Sequence, residues 1–283
     1  MQYKQYHSLP KKYIKNKIKE FLKEDMVTND ITTISTIKKS KNIIAKIYAL
    51  EELTYAGSQI LPYFFNTKCE FKSHKKDGDI IFSGDVIGEI SGPSNFILSI
   101  ERVMLNLIQR LSGIASTTHE FVQIVKDHNI KILDTRKTTP GLRLFEKYAV
   151  SIGGGFNHRL DLSKGILIKD NHILSAGSIS NAINSIKEHK LNLPIEIEID
   201  NLKQLKEALK LPIDGVLLDN MKPHMIKKAV RMIKNTNSTI FIEVSGGITK
   251  NNLHSFINTK IDAISTGAIT HSAISRDIKL EFI

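Results

Sequence analysis

IEIEIDNLKQLKEALKLPIDGVLLDNMKPHMIKKAVRMIKNTNSTIFIEVSGG, residues 195–247, reads as three short apolar strands separated by two helices. The strand candidates are Ile195 to Ile199, Gly215 to Leu218 and Thr239 to Val244, with helices near 201–210 and 222–234 between them. The same alternation extends outward, with strands at Lys131 to Asp134, Gly165 to Lys169 and Ala263 to Ser265, and helices near 141–150, 178–190 and 249–258. Strands alternating with helices imply a parallel sheet, doubly wound or closed. The strand ends choose between these: Asp134-Thr-Arg-Lys, Lys169-Asp-Asn-His, Glu198-Ile-Asp200, Asp219-Asn, Glu243-Val-Ser245-Gly-Gly and Thr266-Gly267 are all polar. A (β/α) barrel brings such ends to one site, whereas an open sheet spreads them along a crevice, so the pattern predicts a barrel.

Upstream the texture is different. Residues 11–24 predict a helix, Asp30-Ile-Thr-Thr a cap, Ile43 to Leu50, Cys69 to Phe71 and Val86 to Ser91 strands, and Gly57 to Phe65 a short helix. These make a small α+β domain. From Ser94 to about His128 the apolar spacing predicts one long helix, with a break expected at Gly113. The predicted boundaries are 1–112 for the N-terminal domain, 113–270 for the barrel, and 271–283 for a segment packing back on the N-terminal domain.

Composition excludes several classes. No run approaches the roughly 20 apolar residues of a bilayer span, and the first residues lack the apolar core of a secretory signal, so a cytoplasmic protein with no membrane partner is expected. The lone Cys69 cannot form an intrachain disulfide and reads as a free structural thiol. The formal charge of +11 invites nucleic acid, but the lysines are scattered. The densest run, Lys11 to Lys23, alternates with Tyr13, Ile14, Ile18, Phe21 and Leu22, as a solvated helix face does, and no nucleic-acid partner is expected. Only seven of the forty basic residues are Arg, at 102, 110, 136, 143, 159, 231 and 276, and an Arg in a Lys-biased chain marks a need for a planar bidentate donor.

Three features carry chemistry. Arg136, Lys137, Arg143, His158, Arg159, Lys169 and His172 lie within 134–172, around a Thr-Thr-Pro-Gly turn and a Gly153-Gly154-Gly155 run. No core tolerates so many unpaired cations, so an anion is expected among them. Glu196, Glu198 and Asp200 alternate onto one strand face, and with Asp219 at the next strand end they offer oxygen ligands suited to Mg2+. Ser245-Gly246-Gly247 and Thr266-Gly267-Ala268 are small-residue turns at successive strand ends, where backbone N–H groups can approach a phosphate. No Walker loop, dinucleotide fingerprint or GxSxG elbow is present.

The chain resembles the quinolinate phosphoribosyltransferases through DTRKTTPGLR at 134–143, EKYAV at 146–150, GGGFNHR at 153–159, LIKDNH at 167–172, EIEID at 196–200, LLDNM at 217–221, EVSGGI at 243–248 and ISTGAIT at 264–270. EDMVTNDITT at 24–33 and ERVMLNLIQRLSGIA at 101–115 extend the likeness over nearly the whole length. The resemblance implies an incomplete (β/α) barrel with an N-terminal α+β sandwich domain. It implies transfer of phosphoribose from phosphoribosyl pyrophosphate to quinolinate with loss of CO2, with Mg2+ as cofactor, in a homodimer that can assemble further. By motif, Arg136, His158 and Arg159 would meet the quinolinate carboxylates, Thr135 would be substrate-binding, Lys137 and Lys169 would stand beside the reacting groups, and Arg102 would arrive from the partner subunit. Glu198 and Asp219 would bind the ribose and Mg2+, and Ser245, Gly246, Gly247 and Gly267 the 5-phosphate. Departures are Asp161 and Lys164, where the family pattern has Gly and an acidic residue, and the glycine-free Asp25 to Asp30 stretch. The family pattern has one more barrel strand than the six read here. Rival readings are phosphoribosyl transfer to another anionic acceptor, as in a molybdenum-transport-associated homologue, and a Schiff-base barrel lyase using Lys169.

Overall fold

The computed structural model describes residues 3–65 and 67–283, which fall into two compact units. The first comprises residues 6–119, 144–154 and 272–283, and the second the described residues before 6 with 120–143 and 155–271. In chain order, α1 (Lys11–Glu24), α2 (Ile31–Thr36), β1 (Asn42–Ala49), β2 (Leu53–Thr54), β3 (Glu70–Ser73), β4 (Ile80–Ile81), β5 (Val86–Pro93) and most of α3 (Ser94–Val125) build the first unit. After β6 (Lys131–Leu133), α4 (Arg143–Ile152) returns to it. The second unit continues with β7 (Ile166–Ile168), α5 (Asp170–Ala176), α6 (Ile179–Glu188), β8 (Ile195–Ile199), α7 (Leu202–Ala208), β9 (Gly215–Asp219), α8 (Pro223–Thr236), β10 (Phe241–Ser245), β11 (Ala263–Ser265) and α9 (Ala268–His271). Finally β12 (Ile278–Phe282) rejoins the first unit.

In the first unit an antiparallel sheet runs β12-β1-β5-β3. The inward face of β1, Ala45, Ile47 and Ala49, is fully buried, as period-2 alternation requires. Asp30 caps α2 by accepting from the Thr33 N–H at 3.0 Å. The helix expected over Gly57 to Phe65 is only a 3-10 turn at Leu61–Tyr63, and ahead of it the Asp77 carboxylate accepts from the N–H groups of Ser58 (2.8 Å) and Gln59 (3.3 Å).

Helix α3 runs without a break through Gly113. A Cβ there would lie 2.2 Å from the Ile274 carbonyl oxygen, so this glycine serves close backbone approach and not a kink. Contacts group the chain differently from the predicted 112/113 boundary. Residues 113–119 stay with the rest of α3, and α4, assigned by sequence to the barrel, packs in the first unit, where Phe145 meets Tyr13 and buried Glu146 pairs with Arg110 at 3.0 Å.

The second unit holds a six-stranded parallel sheet in the order β6-β11-β10-β9-β8-β7, as expected from the strand-helix alternation. Its strands carry the buried apolar core (Ile132, Ile197, Val216, Ile242, Val244, Ile264), against which Ile183, Leu205, Ala208, Ile226 and Ile233 of the helices are buried. The helix expected over 249–258 is two 3-10 turns, Leu253–Ser255 and Ile257–Thr259. Asn252 there donates to the Gly247 carbonyl and accepts from the Thr249 N–H, both at 2.9 Å, which ties the first turn to the loop after β10. The strand missing from the sequence reading is a single bridge. Phe156 lies parallel to Leu133, its N–H donating to Ile132 O and its carbonyl accepting from Asp134 N–H, and Asn157 bridges antiparallel to Lys4. No pairing joins this edge to β7 among the described residues, so the barrel is incomplete.

Gly113→Ala should cost about 1–3 kcal/mol through overpacking against backbone that cannot rotate away. A thermal melt should show the lowered Tm, while Gly177→Ala, where a Cβ meets nothing closer than 3.8 Å, should show only the smaller cost of a non-glycine residue at positive φ.

Candidate active site

Strand β6 delivers Asp134-Thr135-Arg136-Lys137 to the carboxyl edge of the parallel sheet. Asp134 is fully buried and accepts from the Asn157 side chain at 2.7 Å and the His158 N–H at 2.8 Å. That carboxylate joins the two cation-bearing segments. Arg143 braces the same loop, donating to Thr138 Oγ1 at 3.0 Å and to the Leu160 carbonyl at 3.4 Å.

Arg136 and Arg159 are both half-buried. The buried Nε of Arg136 has no hydrogen-bond partner, and no carboxylate pairs with it among the described residues. Arg159 is held by one bond to the Gly165 carbonyl at 2.9 Å, and its pKa is lowered by burial and then by the charge of Arg136. The two guanidiniums are thus near enough to repel each other, opposed by the fields of Glu196 and Asp161. Asp161, one of the departures from the family pattern, gives its carboxylate to the Ser163 N–H (2.8 Å) and hydroxyl (2.6 Å); Lys164 adds only its field.

On the neighbouring strand ends the carboxylates face cations. Lys169 Nζ lies 2.7 Å from Glu198 Oε2. His172 does not enter the site, since its Nδ1 accepts from the Lys169 N–H at 2.9 Å and starts α5. Asp219 at the end of β9 is half-buried; burial raises its pKa, opposed by Lys169 and Lys137 and reinforced by Asp200. Asp200 itself is exposed beyond the strand end. Gly246 (φ +94°) admits no side chain, because a Cβ would fall 2.3 Å from Asn220 Oδ1 and 2.7 Å from its backbone N. A Cβ on Gly267 would lie 3.0 Å from Lys137 Cδ, which sets Lys137 beside that turn.

Beneath these groups is a buried polar cluster. The Tyr3 hydroxyl lies 2.9 Å from Glu243 Oε2, 3.2 and 3.3 Å from the two Glu196 oxygens and 3.4 Å from His158 Nε2. Burial pushes both carboxyls up to about 7, and for Glu243 the charge of Glu196 adds to it. His158 Nδ1 accepts from the Arg159 N–H at 2.8 Å. An amide nitrogen can only donate, so Nδ1 carries no proton and Nε2 must hold it, 3.3 Å from Glu196 Oε2. His158, Glu196 and Glu243 approach closely enough to chelate a cation, but an Nε2 that keeps its proton is no ligand.

Every residue the sequence singled out for the site except Arg102 lies in this unit, at or just after a strand end; Arg102 is exposed on α3 of the first unit. Thr135 stands between Asp134 and Arg136, its hydroxyl accepting from the Lys137 N–H at 3.0 Å. Ser245, Gly246 and Gly247 follow β10, and Gly267 follows β11. His158, expected against an acceptor carboxylate, here has Nδ1 on the Arg159 N–H and Nε2 near Glu196. Tyr3 and the buried partnership of Glu196 with Glu243 escaped the sequence reading, because nothing in local spacing ties residue 3 to two strands 190 and more positions away.

Two family models match. Quinolinate phosphoribosyl transferase, C-terminal domain, covers residues 114–281 and the corresponding N-terminal domain residues 30–112. The chain is 44% identical to a protein of Bacillus subtilis named "Probable nicotinate-nucleotide pyrophosphorylase (carboxylating)", over 95% of this chain and 93% of that one. It is 36% identical to the chloroplastic carboxylating nicotinate-nucleotide pyrophosphorylase of Arabidopsis thaliana, over 95% of this chain and 82% of that one. The solved nicotinate-nucleotide pyrophosphorylase of Francisella tularensis superposes with a TM-score of 0.93 at 34% identity, over the full length of both chains.

The raised carboxyls fix a direction for pH. Each binds its proton more tightly when folded than at its ordinary value of 4.5, so its contribution to stability is fully present below that value and is lost as pH rises through about 7. Thermal melts between pH 4.5 and 8 should show stability falling over this window. Glu243→Gln, which imitates the protonated acid, should shallow the slope.

Proposed function

From the premise that the chain belongs to the quinolinate phosphoribosyltransferase family, we propose a role for each group in the site. The enzyme transfers the phosphoribosyl group of phosphoribosyl pyrophosphate to quinolinate with loss of CO2, giving nicotinate mononucleotide and pyrophosphate. The observation that carries the assignment is the half-buried pair Arg136 and Arg159, mutually repelling and with the Arg136 Nε unpartnered. Quinolinate is a dianion at neutral pH. Two guanidinium forks bind two carboxylates bidentately, and each relieves the other's repulsion once the dianion is seated. Thr135 lines this end, and His158 supports it from below.

The pyridine nitrogen has a free lone pair, so attack on the ribose needs no general base and depends on placement and electrostatics. As the N–C bond forms, the bond to pyrophosphate breaks and positive charge builds on the sugar. Glu198 and Asp219 face that charge, while Lys137 and Lys169 meet the anionic groups around it. The 5-phosphate sits on the backbone of Ser245, Gly246, Gly247 and Gly267. Once the ring nitrogen is positive, the adjacent carboxylate can leave as CO2, its electron pair stabilised in the ring and then protonated by solvent.

The donor set fits Mg2+. Asp219 is an oxygen donor whose charge is opposed by burial and by Asp200, a strain a cation relieves, and Glu198 lies on the next strand. Bound there with waters and substrate oxygens, Mg2+ would neutralise charge on the departing pyrophosphate. The same reading takes the enzyme as a cytoplasmic homodimer in which Arg102 serves the partner's site. No helix among the described residues is long and apolar enough to cross a membrane. A Schiff-base role for Lys169 is disfavoured because its Nζ is engaged by the Glu198 carboxylate at 2.7 Å.

Mass spectrometry of the purified protein with quinolinate, phosphoribosyl pyrophosphate and Mg2+ should show nicotinate mononucleotide, and none with nicotinate in place of quinolinate; product from nicotinate alone would overturn the acceptor assignment. Arg136→Ala should raise the quinolinate KM roughly 10- to 150-fold, the worth of a charge-assisted bond of about 1.5–3 kcal/mol. Mixing Arg102→Ala with Lys169→Ala subunits should restore part of the activity through hybrid sites, and no recovery despite proven exchange would place Arg102 in its own subunit's site.

A further inference from the structure

The floor of the site is closed by a residue that takes no part in the chemistry. Tyr3 places a hydroxyl within hydrogen-bond reach of Glu196, Glu243 and His158 at once. A phenol has one proton to give, and the shortest contact, 2.9 Å to Glu243, marks where it goes. His158 Nε2–H then points at an oxygen-only environment, the Glu196 carboxylate and the Tyr3 oxygen. The donors form one directed chain: Arg159 N–H to His158 Nδ1, His158 Nε2–H into the cluster, Tyr3 O–H to Glu243. The backbone repeats the attachment. Asn157 N–H donates to Lys4 O at 2.9 Å, and Gln5 Nε2 donates to Gly155 O at 3.0 Å. The Tyr3 ring packs against the His158 ring at 5.1 Å and against Phe241 at 5.4 Å.

Residues 155–159, which carry Arg159, are thereby tied at both ring and backbone to β8 and β10 through the Tyr3–Gln5 segment. We propose that Tyr3 is a positioning residue for the acceptor-carboxylate site. Through His158 it holds the Arg159 backbone, and so the guanidinium fork, in register with Arg136. The inference rests on the assignment of quinolinate to that arginine pair. A purely structural Tyr3 would alter the amount of folded enzyme and leave substrate preference untouched. A positioning Tyr3 alters the quinolinate KM selectively.

The test compares wild type, Tyr3→Phe, His158→Asn and the double variant in steady-state kinetics, with circular dichroism and a thermal melt on each. Phe keeps the ring and removes the hydroxyl. Asn keeps an acceptor where Nδ1 stands and removes the Nε2 donor. Tyr3→Phe should raise the quinolinate KM about 5- to 20-fold with the phosphoribosyl pyrophosphate KM within twofold of wild type. The double variant should resemble the more impaired single one, since both cut the same chain. An unchanged quinolinate KM in folded Tyr3→Phe, equal shifts in both KM values, or fully multiplicative effects would each overturn the proposal. Should Tyr3→Phe fail to fold, His158→Asn alone must show the same KM split, and its absence overturns it equally. Wild type that makes no product from quinolinate defeats the site assignment and this inference together, whereas wild-type turnover with an indifferent Tyr3→Phe defeats the inference alone.

Discussion

One buried carboxylate makes the site possible. Asp134 ends β6 and accepts from Asn157 and His158, more than twenty residues on, so that Arg136 and Arg159 arrive at the same place from separate segments. The bonds are short and fully shielded from water. A buried carboxylate without such donors would carry a desolvation cost of several kcal/mol, and with them it becomes a rigid joint. Everything at the cationic end depends on it, because two guanidiniums will not approach each other unless something else fixes their backbones.

That enforced proximity costs stability in the absence of ligand. Burial and the Arg136 charge both lower the Arg159 pKa, and the Glu196 and Asp161 charges only partly offset them. The other end of the site is balanced differently. Lys169 and Glu198 neutralise each other at 2.7 Å, and Asp219 sits in the field of Lys169, Lys137 and Asp200. One end therefore selects for charge, and the other for a ligand able to exchange with an existing ion pair. Salt should screen the second more than the first, since Lys169 is about half exposed and the arginine pair is less open to solvent.

Much of this was legible in the sequence because it is local. Period-2 apolar runs gave β8 and β11 with their observed ends, and polar residues at strand ends pointed to a common site. The same logic failed where tertiary contacts decide. Gly113 looked like a helix break and is a close-packing glycine under Ile274; the helix expected over 249–258 is two 3-10 turns; α4 groups with the other unit. The seventh strand escaped notice because one residue, Phe156, has no periodicity to read. Tyr3 escaped because a phenol buried among carboxylates is a purely three-dimensional fact.

Strand β8 shows how floor and site are coupled. Glu196 and Glu198 are two positions apart and share a face, and sequence alone treated them alike. In the fold, Glu196 lies in the closed cluster with Tyr3, Glu243 and His158, while Glu198 reaches Lys169 at the strand end. A strand is too stiff to let one move without the other over so short a span, as each Cα step is fixed and the neighbours β7 and β9 hold the register. The buried acid therefore sets the height at which Glu198 meets Lys169, and His158 passes the same constraint to Arg159. The polar floor ties the two ends of the site to one reference, and an apolar core in its place would hold the strands but leave the relative height of Arg159 and Glu198 unspecified.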